Sequence, residues 1–379
     1  MSTLIKYLSS EAIENCALCL NYQFDNVIFF ANENTKDEEQ SNISSFLLNE
    51  CNVKNVDYKI IDSKSVELLI NSINEVLKTD TYFIDLTGCD GICHVAFNSV
   101  GLDKNIPLFL YDIRNLELYS LNKCDYGIEV VRHQTINMNI EKYIRMVGGI
   151  VRDNENNSIS ENVFNKLDEI KNKYEQIWKA FSCCMQKCNT YNEDNLLEAK
   201  NDDVYSLSVL SKNEISCDQI FNILEDLNKN NLIKEYIHND NGFNFKYIDE
   251  EIRKIILKTG TILEYETYFY EKKLASDCAV SISLDWDGII EDSTNGDVKN
   301  EIDVLRLDNY ELTFISCKDT KKIEKENLYE LETVARKFGG KYSKMKLVCS
   351  GFVSDTDKKR AKLIGIEVIN IKDLLNSNR

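Results

Sequence analysis

Four polar residues interrupt an apolar pattern in the stretch from Asn300 to Lys318, NEIDVLRLDNYELTFISCK. Glu301 and Asp303 stand two apart at one end, and Ser316 and Lys318 stand two apart at the other. Side chains alternate faces along a strand, so each pair shares a face. A two-residue turn at Asn309-Tyr310 pairs residues whose numbers sum to 619, opposing Asp303 to Ser316 and Glu301 to Lys318. All four then project from one face of a hairpin. Leu305, Leu307, Leu312 and Phe314 continue that face as core, and Ile302, Val304, Ile315 and Cys317 supply the other. Polar groups in a buried pattern cost free energy unless they pair or bind something. Two readings meet that demand. Oxygen ligands could hold Mg2+ or Mn2+, which activates water and neutralises a phosphate while the lysine orients water or stabilises charge. Alternatively, Lys318 and Glu301 form a salt bridge at a solvated strand end.

The elements that must position these groups can be read outward from them. From Cys278 the pattern runs strand, strand, strand, helix, strand, helix, strand and a last short helix, a compact mixed α/β unit. A long helix from Asp249 to Lys273 leads into it and carries Glu264 and Glu266. At the other end of the chain, TLIKYLS, NVIFFANE, DYKIID, TYFIDLTG and IPLFLYDI read as buried strands separated by helical intervals. That alternation predicts a parallel, doubly wound, Rossmann-like sheet, whose ligands sit beyond the carboxyl ends of strands where strand order reverses. The loops to watch are SSEAIEN after the first strand and DLTGCDG after the fourth. Exposed amides at a helix start can hold a phosphate; the alternative is N-capping by Ser9, Ser10 or Thr87. Neither loop matches a dinucleotide or Walker A fingerprint. Between the two ends, VRDNENNSISEN (151–162) reads as a linker. Helices follow around Lys166–Cys188, then a helix, a short strand, a turn at Asp240-Asn241-Gly242 and another strand, a winged-helix-like pattern. The expected domains are therefore 1–150, 151–248 and 249–379.

Composition bounds the partners. The 379 residues carry a net charge of −18, yet residues 301–379 are net +3 and residues 1–300 net −21. Thr333–Lys362 holds nine basic residues and two acids, a candidate face for a polyanion centred on Lys341, Lys344 and Lys346. Thirteen cysteines scattered through strands and helices suggest reduced thiols in a cytoplasm, and the Cys16-Ala-Leu-Cys19 pair reads as core. No apolar run reaches the ~18 residues of a membrane span. The opening MSTLIKYLSSEAIEN has no basic-then-apolar leader, so no signal peptide is expected.

EID and ISCK, followed by helix, strand and helix, resemble the PD-(D/E)xK restriction-endonuclease-like nucleases over about the last 100 residues. The resemblance implies Asp303 as motif aspartate, Lys318 as motif lysine and Glu264 as the acid from the preceding helix. It further implies Asp303, Glu264 and Glu301 as ligands of Mn2+ or Mg2+. Ser316 stands where that family commonly has Glu or Asp, with Glu301 as the compensating acid.

The N-terminal half resembles CARF domains, the CRISPR-associated Rossmann-like sensors of cyclic oligoadenylates. YLSSEAIEN is similar to their first ligand loop, and IDLTGCDG to the loop often written with TGG. Ser9, Ser10, Asn15, Thr87, Gly88, Cys89, Asp90 and Gly91 are the ligand residues this implies. Cys89 replaces a glycine and Asp90 follows, which keeps amide contacts and removes a lysine contact. The whole chain is similar to the cyclic-tetra-adenylate-activated CARF nucleases of type III CRISPR defence. That implies a cytoplasmic homodimer with one ring across its two-fold axis, cleaving or nicking DNA, single-stranded RNA or both. A rival is a non-catalytic CARF sensor or transcriptional regulator with a degenerate nuclease domain. Ser316 favours it, while Asp218, Glu225 and Asp226 in the would-be recognition helix oppose it. A third reading, nucleotide processing in the N-terminal half, rests on His94 alone among three histidines.

Overall fold

Strand β1 (Ser2–Tyr7) buries Leu4 and Ile5, which point to opposite faces, so both sides of its sheet need cover. The chain supplies it by alternation: α1 (Ala12–Asn21), β2 (Asn26–Asn32), α2 (Asp37–Glu50), β3 (Asn55–Ile61), α3 (Val66–Val76), β4 (Thr81–Asp85), α4 (Gly91–Lys104) and β5 (Leu108–Asp112). The five strands are parallel in the order β3-β2-β1-β4-β5, as the doubly wound pattern predicts. Beyond the sequence reading, β6 (Glu117–Leu121) and β7 (Ile128–Arg132) extend the β5 edge antiparallel. Strand order reverses between β1 and β4, so the two loops singled out from sequence open at the same point of the sheet. This computed structural model describes residues 1–61, 65–78, 80–121, 128–132, 138–152, 159–188, 196–200, 215–286, 288, 299–319 and 323–376.

The chain continues through α5 (Ile140–Met146) and β8 (Ile150–Arg152). The expected linker thus begins inside a strand, because β8 pairs with a later strand; residues 153–158 of that linker lie outside the described residues. Next come α6 (Glu161–Lys173), α7 (Glu175–Lys187), β9 (Leu197–Lys200), α8 (Cys217–Lys229), β10 (Ile233–Asn239) and β11 (Gly242–Tyr247). Ser216 and Gln219 form a reciprocal capping box at the start of α8. The strands make a small sheet in the order β10-β11-β9, so the winged-helix-like hairpin has a third strand.

The single helix expected over Asp249–Lys273 is two, α9 (Glu250–Leu257) and α10 (Thr261–Lys272). Lys258 is extended, and the Ser182 hydroxyl of α7 donates to the Ile256 and Leu257 carbonyls at 2.6 and 2.9 Å. Those carbonyls would otherwise be orphaned, so the break is stabilised from α7. Then follow β12 (Asp277–Asp285), β13 (Lys299–Asp308), β14 (Glu311–Lys318), α11 (Lys325–Gly339), a 3-10 turn (Gly340–Tyr342), β15 (Lys344–Cys349), α12 (Asp355–Leu363), β16 (Ile366–Asn370) and α13 (Ile371–Asn376).

Two compact units result. One comprises Met1–Asp153, Leu274–Ile315 and Leu328–Met345; the other comprises Asn154–Lys273, Ser316–Asn327 and Lys346–Arg379. In the first, β8, β12, β13 and β14 form an antiparallel ladder. The hairpin register is the predicted one, from Asp308↔Glu311 to Val304↔Ile315, with Asn309 left-handed (φ 58) at the turn. Asparagine tolerates that conformation better than most residues. In the second, Phe164 of α6 packs on Tyr265 and Phe269 of α10 at ring distances of 5.8 and 5.3 Å.

Candidate ligand pocket and catalytic hairpin

The β1–α1 loop is held from within. Asn15 accepts from the Ser9 amide at 2.9 Å and donates to the Ser9 carbonyl at 2.8 Å. The Ser9 hydroxyl accepts from the Glu11 amide at 3.2 Å and donates to Glu14 at 2.5 Å. Ser9 and Ser10 do not cap α1: the cap position is Glu11, which makes no side-chain cap bond. Asn15 is buried and spends both polar atoms on the loop, so it positions Ser9. Ser10 is exposed.

The β4–α4 loop is built differently. The Thr87 hydroxyl accepts from the Tyr111 amide at 2.8 Å and the Thr87 amide donates to Asp85 at 2.9 Å, so Thr87 ties β4 to β5. Gly88 has φ 76, and a Cβ there would lie 2.7 Å from both the Glu14 carboxylate and Ser9 Cβ. Glycine is therefore required where the two loops touch. Cys89 is half-buried; Asp90, which caps α4 through the Cys93 amide at 2.8 Å, and Gly91 are exposed. Beneath both loops, Lys6 and Asp85 are fully buried and pair at 2.5 Å, with Lys6 also donating to the Glu14 carbonyl at 2.6 Å. Burial alone would lower the Lys6 pKa, but Asp85 outweighs it and raises it above the ordinary lysine value. Cys16 and Cys19 are buried core thiols pushed up by desolvation, as expected.

A cavity of about 370 Å³ opens beside the first loop, lined among others by Ser9, Ser10, Glu11, Asn15, Lys36, Arg336 and Lys337. Thr87–Gly91 do not line it. Its cations were missed from sequence: Arg336 and Lys337 close α11, which the charge pattern had assigned to nucleic acid. The 3-10 turn after α11 is joined to the loop. Glu14 accepts from Lys341 at 2.8 Å and from the Tyr342 hydroxyl at 2.6 Å, and the Lys341 amide donates to Glu11 at 3.1 Å. Burial would raise the Glu14 pKa, but hydrogen bonds from Lys341, Ser9 and Tyr342 outweigh it and hold the carboxyl below the ordinary value. At the other end of α1, Asn21 donates to the Tyr310 hydroxyl at 2.9 Å, and Tyr310 is buried in the β13–β14 turn.

Other contacts fall on the basic face expected from sequence. Lys341 pairs with Glu14, Lys344 with Glu311 at 2.6 Å, and Lys346 with the fully buried Glu271 at 2.8 Å. All three of its central lysines pair with acids of the chain, Lys346 with a buried one. Lys358, Lys359 and Lys362 on α12 remain exposed.

On the β13–β14 hairpin, Glu301 is exposed and Asp303 half-buried on β13 in the first unit. Ser316 and Lys318 are half-buried at the end of β14 and belong to the second, as does half-buried Glu264 on α10. Cys317, between Ser316 and Lys318, meets Thr267 of α10 at 3.6 Å. Among the described residues no three His, Cys, Asp or Glu side chains gather closely enough to hold a metal ion. No described helix is long and apolar enough to cross a membrane.

No protein-family model matches the chain, and no curated protein matches it by sequence. Solved structures do match. Protein VC1899 from Vibrio cholerae is 16% identical with a TM-score of 0.70, over 98% of this chain and 95% of that one. Can2 from Sulfobacillus thermosulfidooxidans, in complex with cyclic tetra-adenylate, is 16% identical with a TM-score of 0.66, over 97% and 95%. A type III CRISPR defence DNA nuclease activated by cyclic oligoadenylate is 11% identical with a TM-score of 0.52, over 92% of this chain and 45% of that one. At such identities the likeness is one of fold: this chain has the mixed α/β fold of Can2.

Proposed function

We propose that the chain is a metal-dependent nuclease switched on by cyclic tetra-adenylate in type III CRISPR defence. The observation that carries this reading lies in the first unit. Helix α1 starts at the cavity beside the β1–α1 loop and ends on Tyr310, at the tip of the hairpin whose β13 strand bears Asp303. A ligand at Ser9 and Ser10 therefore acts on an element that touches the hairpin.

Lys36 and Lys337 supply cations for ring phosphates, with Arg336, which pairs with Glu332 at 2.8 Å, beside them, and the Ser10 hydroxyl and loop amides supply polar contacts. The cavity is at the small end of the roughly 300–1,000 Å³ typical of ligand sites. A four-nucleotide ring is larger than one such cavity, which suits a ring shared by two copies of the chain. Helix α4 carries exposed Ile92 and Val95 one turn apart, beside Gly91, an apolar face for that second copy.

For catalysis, Asp303 is assigned the metal carboxylate and Lys318 the stabiliser of charge developing on the phosphate, with Glu301, Ser316 and Glu264 as supporting groups. Carboxylates suit Mg2+ or Mn2+ in kind. With no three acids gathered, the ion would complete its shell with water and substrate phosphate oxygens, as Mg2+ commonly does. The substrates are DNA, single-stranded RNA or both, and the site of action is the cytoplasm. The test is cleavage of plasmid and labelled RNA by chelator-treated protein resupplied with Mn2+. Asp303→Asn and Lys318→Ala should each nearly abolish cleavage while ring binding is kept. Wild-type cleavage by Asp303→Asn would make the cluster structural and favour the non-catalytic sensor reading.

A further inference from the structure

The second unit carries an aromatic ring in solvent. Phe352 is 75% exposed, in the loop between β15 and α12. Leaving that much apolar surface in water is unfavourable without a partner. The loop is nonetheless pinned. The Ser350 amide donates to the Lys318 carbonyl at 3.4 Å, and the Ser350 hydroxyl bonds the Asp319 carboxylate. Asn370 donates to the Ser350 and Gly351 carbonyls at 3.4 Å each. Phe352 thus stands on a fixed mount attached to the end of β14, beside the lysine assigned to catalysis.

Helix α12 begins three residues later, capped by Ser354 at the Asp357 amide (3.2 Å). Its exposed residues include Lys358, Lys359 and Lys362, which helical spacing of three and four places on one stripe. Like charges at that spacing repel one another, and bound phosphates would relieve the repulsion. An exposed ring in the loop leading into a helix that carries a row of cations, with Asp355 and Asp357 in its first turn, has the aromatic and cationic groups of a single-strand-binding surface, where bases stack on aromatics and cations track the backbone. Duplex DNA hides its base faces and offers such a ring nothing to stack on.

We propose that Phe352 and the Lys358, Lys359 and Lys362 stripe form a docking surface for single-stranded nucleic acid that feeds the β14 end. This deepens the nuclease reading and rests on it for the direction of feeding. The test uses the full chain as its Asp303→Asn variant in chelator, so that binding is read without cleavage. Phe352→Trp provides a fluorescent reporter, titrated with a short oligothymidylate and with a duplex of equal length. The proposal expects quenching by the single strand alone, and about tenfold weaker single-strand binding in Phe352→Ala. Replacing the three lysines by glutamine should lower the slope of log affinity against log salt by about 2. Equal single- and double-strand binding, or unchanged affinity in Phe352→Ala, would overturn it. So would a shift in sedimentation of Phe352→Ala with unchanged affinity, which would make Phe352 a self-association contact. A wild-type chain that binds single strands but cleaves nothing would fail the nuclease reading and leave this surface standing.

Discussion

Glu14→Gln tests whether the β1–α1 loop is held by the turn that follows α11. Glu14 is 4% exposed and its carboxylate accepts from Ser9, Tyr342 and Lys341 at 2.5, 2.6 and 2.8 Å. A glutamine keeps one acceptor oxygen and turns an NH2 towards a donor, so at least one charge-assisted bond is lost. Lys341 is half exposed and can return to water, which limits the cost on its side. Such a loss amounts to about 2 kcal/mol, or roughly 4–8 °C in melting temperature for a domain of this size. The pH dependence has a definite sign. Because the folded carboxyl is held below its ordinary value of 4.5, its contribution is fully present above that pH and fades as pH falls through the folded value. Thermal unfolding should therefore show the variant melting lower near neutrality, with the gap closing in acid. Ring affinity should fall as well, since Ser9 loses its acceptor. Equal melting near neutrality, or a gap undiminished in acid, would refute the role given to this carboxylate.

Glu266 offers a second pH test, in the other unit: burial pushes its carboxyl up to about 7, with Lys171 opposing and Asp168 adding to the rise. A raised carboxyl stabilises the fold below its unfolded value and loses that contribution as pH rises to about 7, so Glu266→Gln should raise the melting temperature at about pH 8 and not at about pH 4, a difference on the order of 1–3 kcal/mol. Lys6→Met strips the partner from fully buried Asp85 and should cost about 3–5 kcal/mol in denaturant unfolding, whereas an undiminished midpoint would mean that the pair is not what holds the loops.

The doubly wound core was legible because β1, β2 and β4 carry consecutive apolar residues that serve both faces between amphipathic helices. The hairpin register was legible because Asn309-Tyr310 fixes the turn and period-two alternation does the rest. Short elements stabilised from elsewhere were not. β8 is three residues paired to β12, and the break between α9 and α10 depends on Ser182, 74 and 75 residues away. The candidate pocket was half legible. Ser9 and Ser10 announced themselves by their place after β1, but Lys341 reaches Glu11 across 330 residues and Tyr342 reaches Glu14 across 328. Charge counting therefore assigned Lys341 to nucleic acid and did not reveal its pair with Glu14 on the β1–α1 loop. Thr87 read as a ligand residue because IDLTGCDG resembles a CARF ligand loop, and the sequence did not reveal that its hydroxyl accepts from the Tyr111 amide.

The central claim, that a ring at the switch point controls cleavage at the β13–β14 hairpin, is tested most directly by cleavage assayed with and without cyclic tetra-adenylate. Wild type and Asp303→Asn would be compared in Mn2+, alongside calorimetry of the ring. The account predicts cleavage that needs both the ring and Asp303, with one ring bound per pair of chains. Cleavage at the same rate without the ring, or no binding of the ring to the chain, would contradict it.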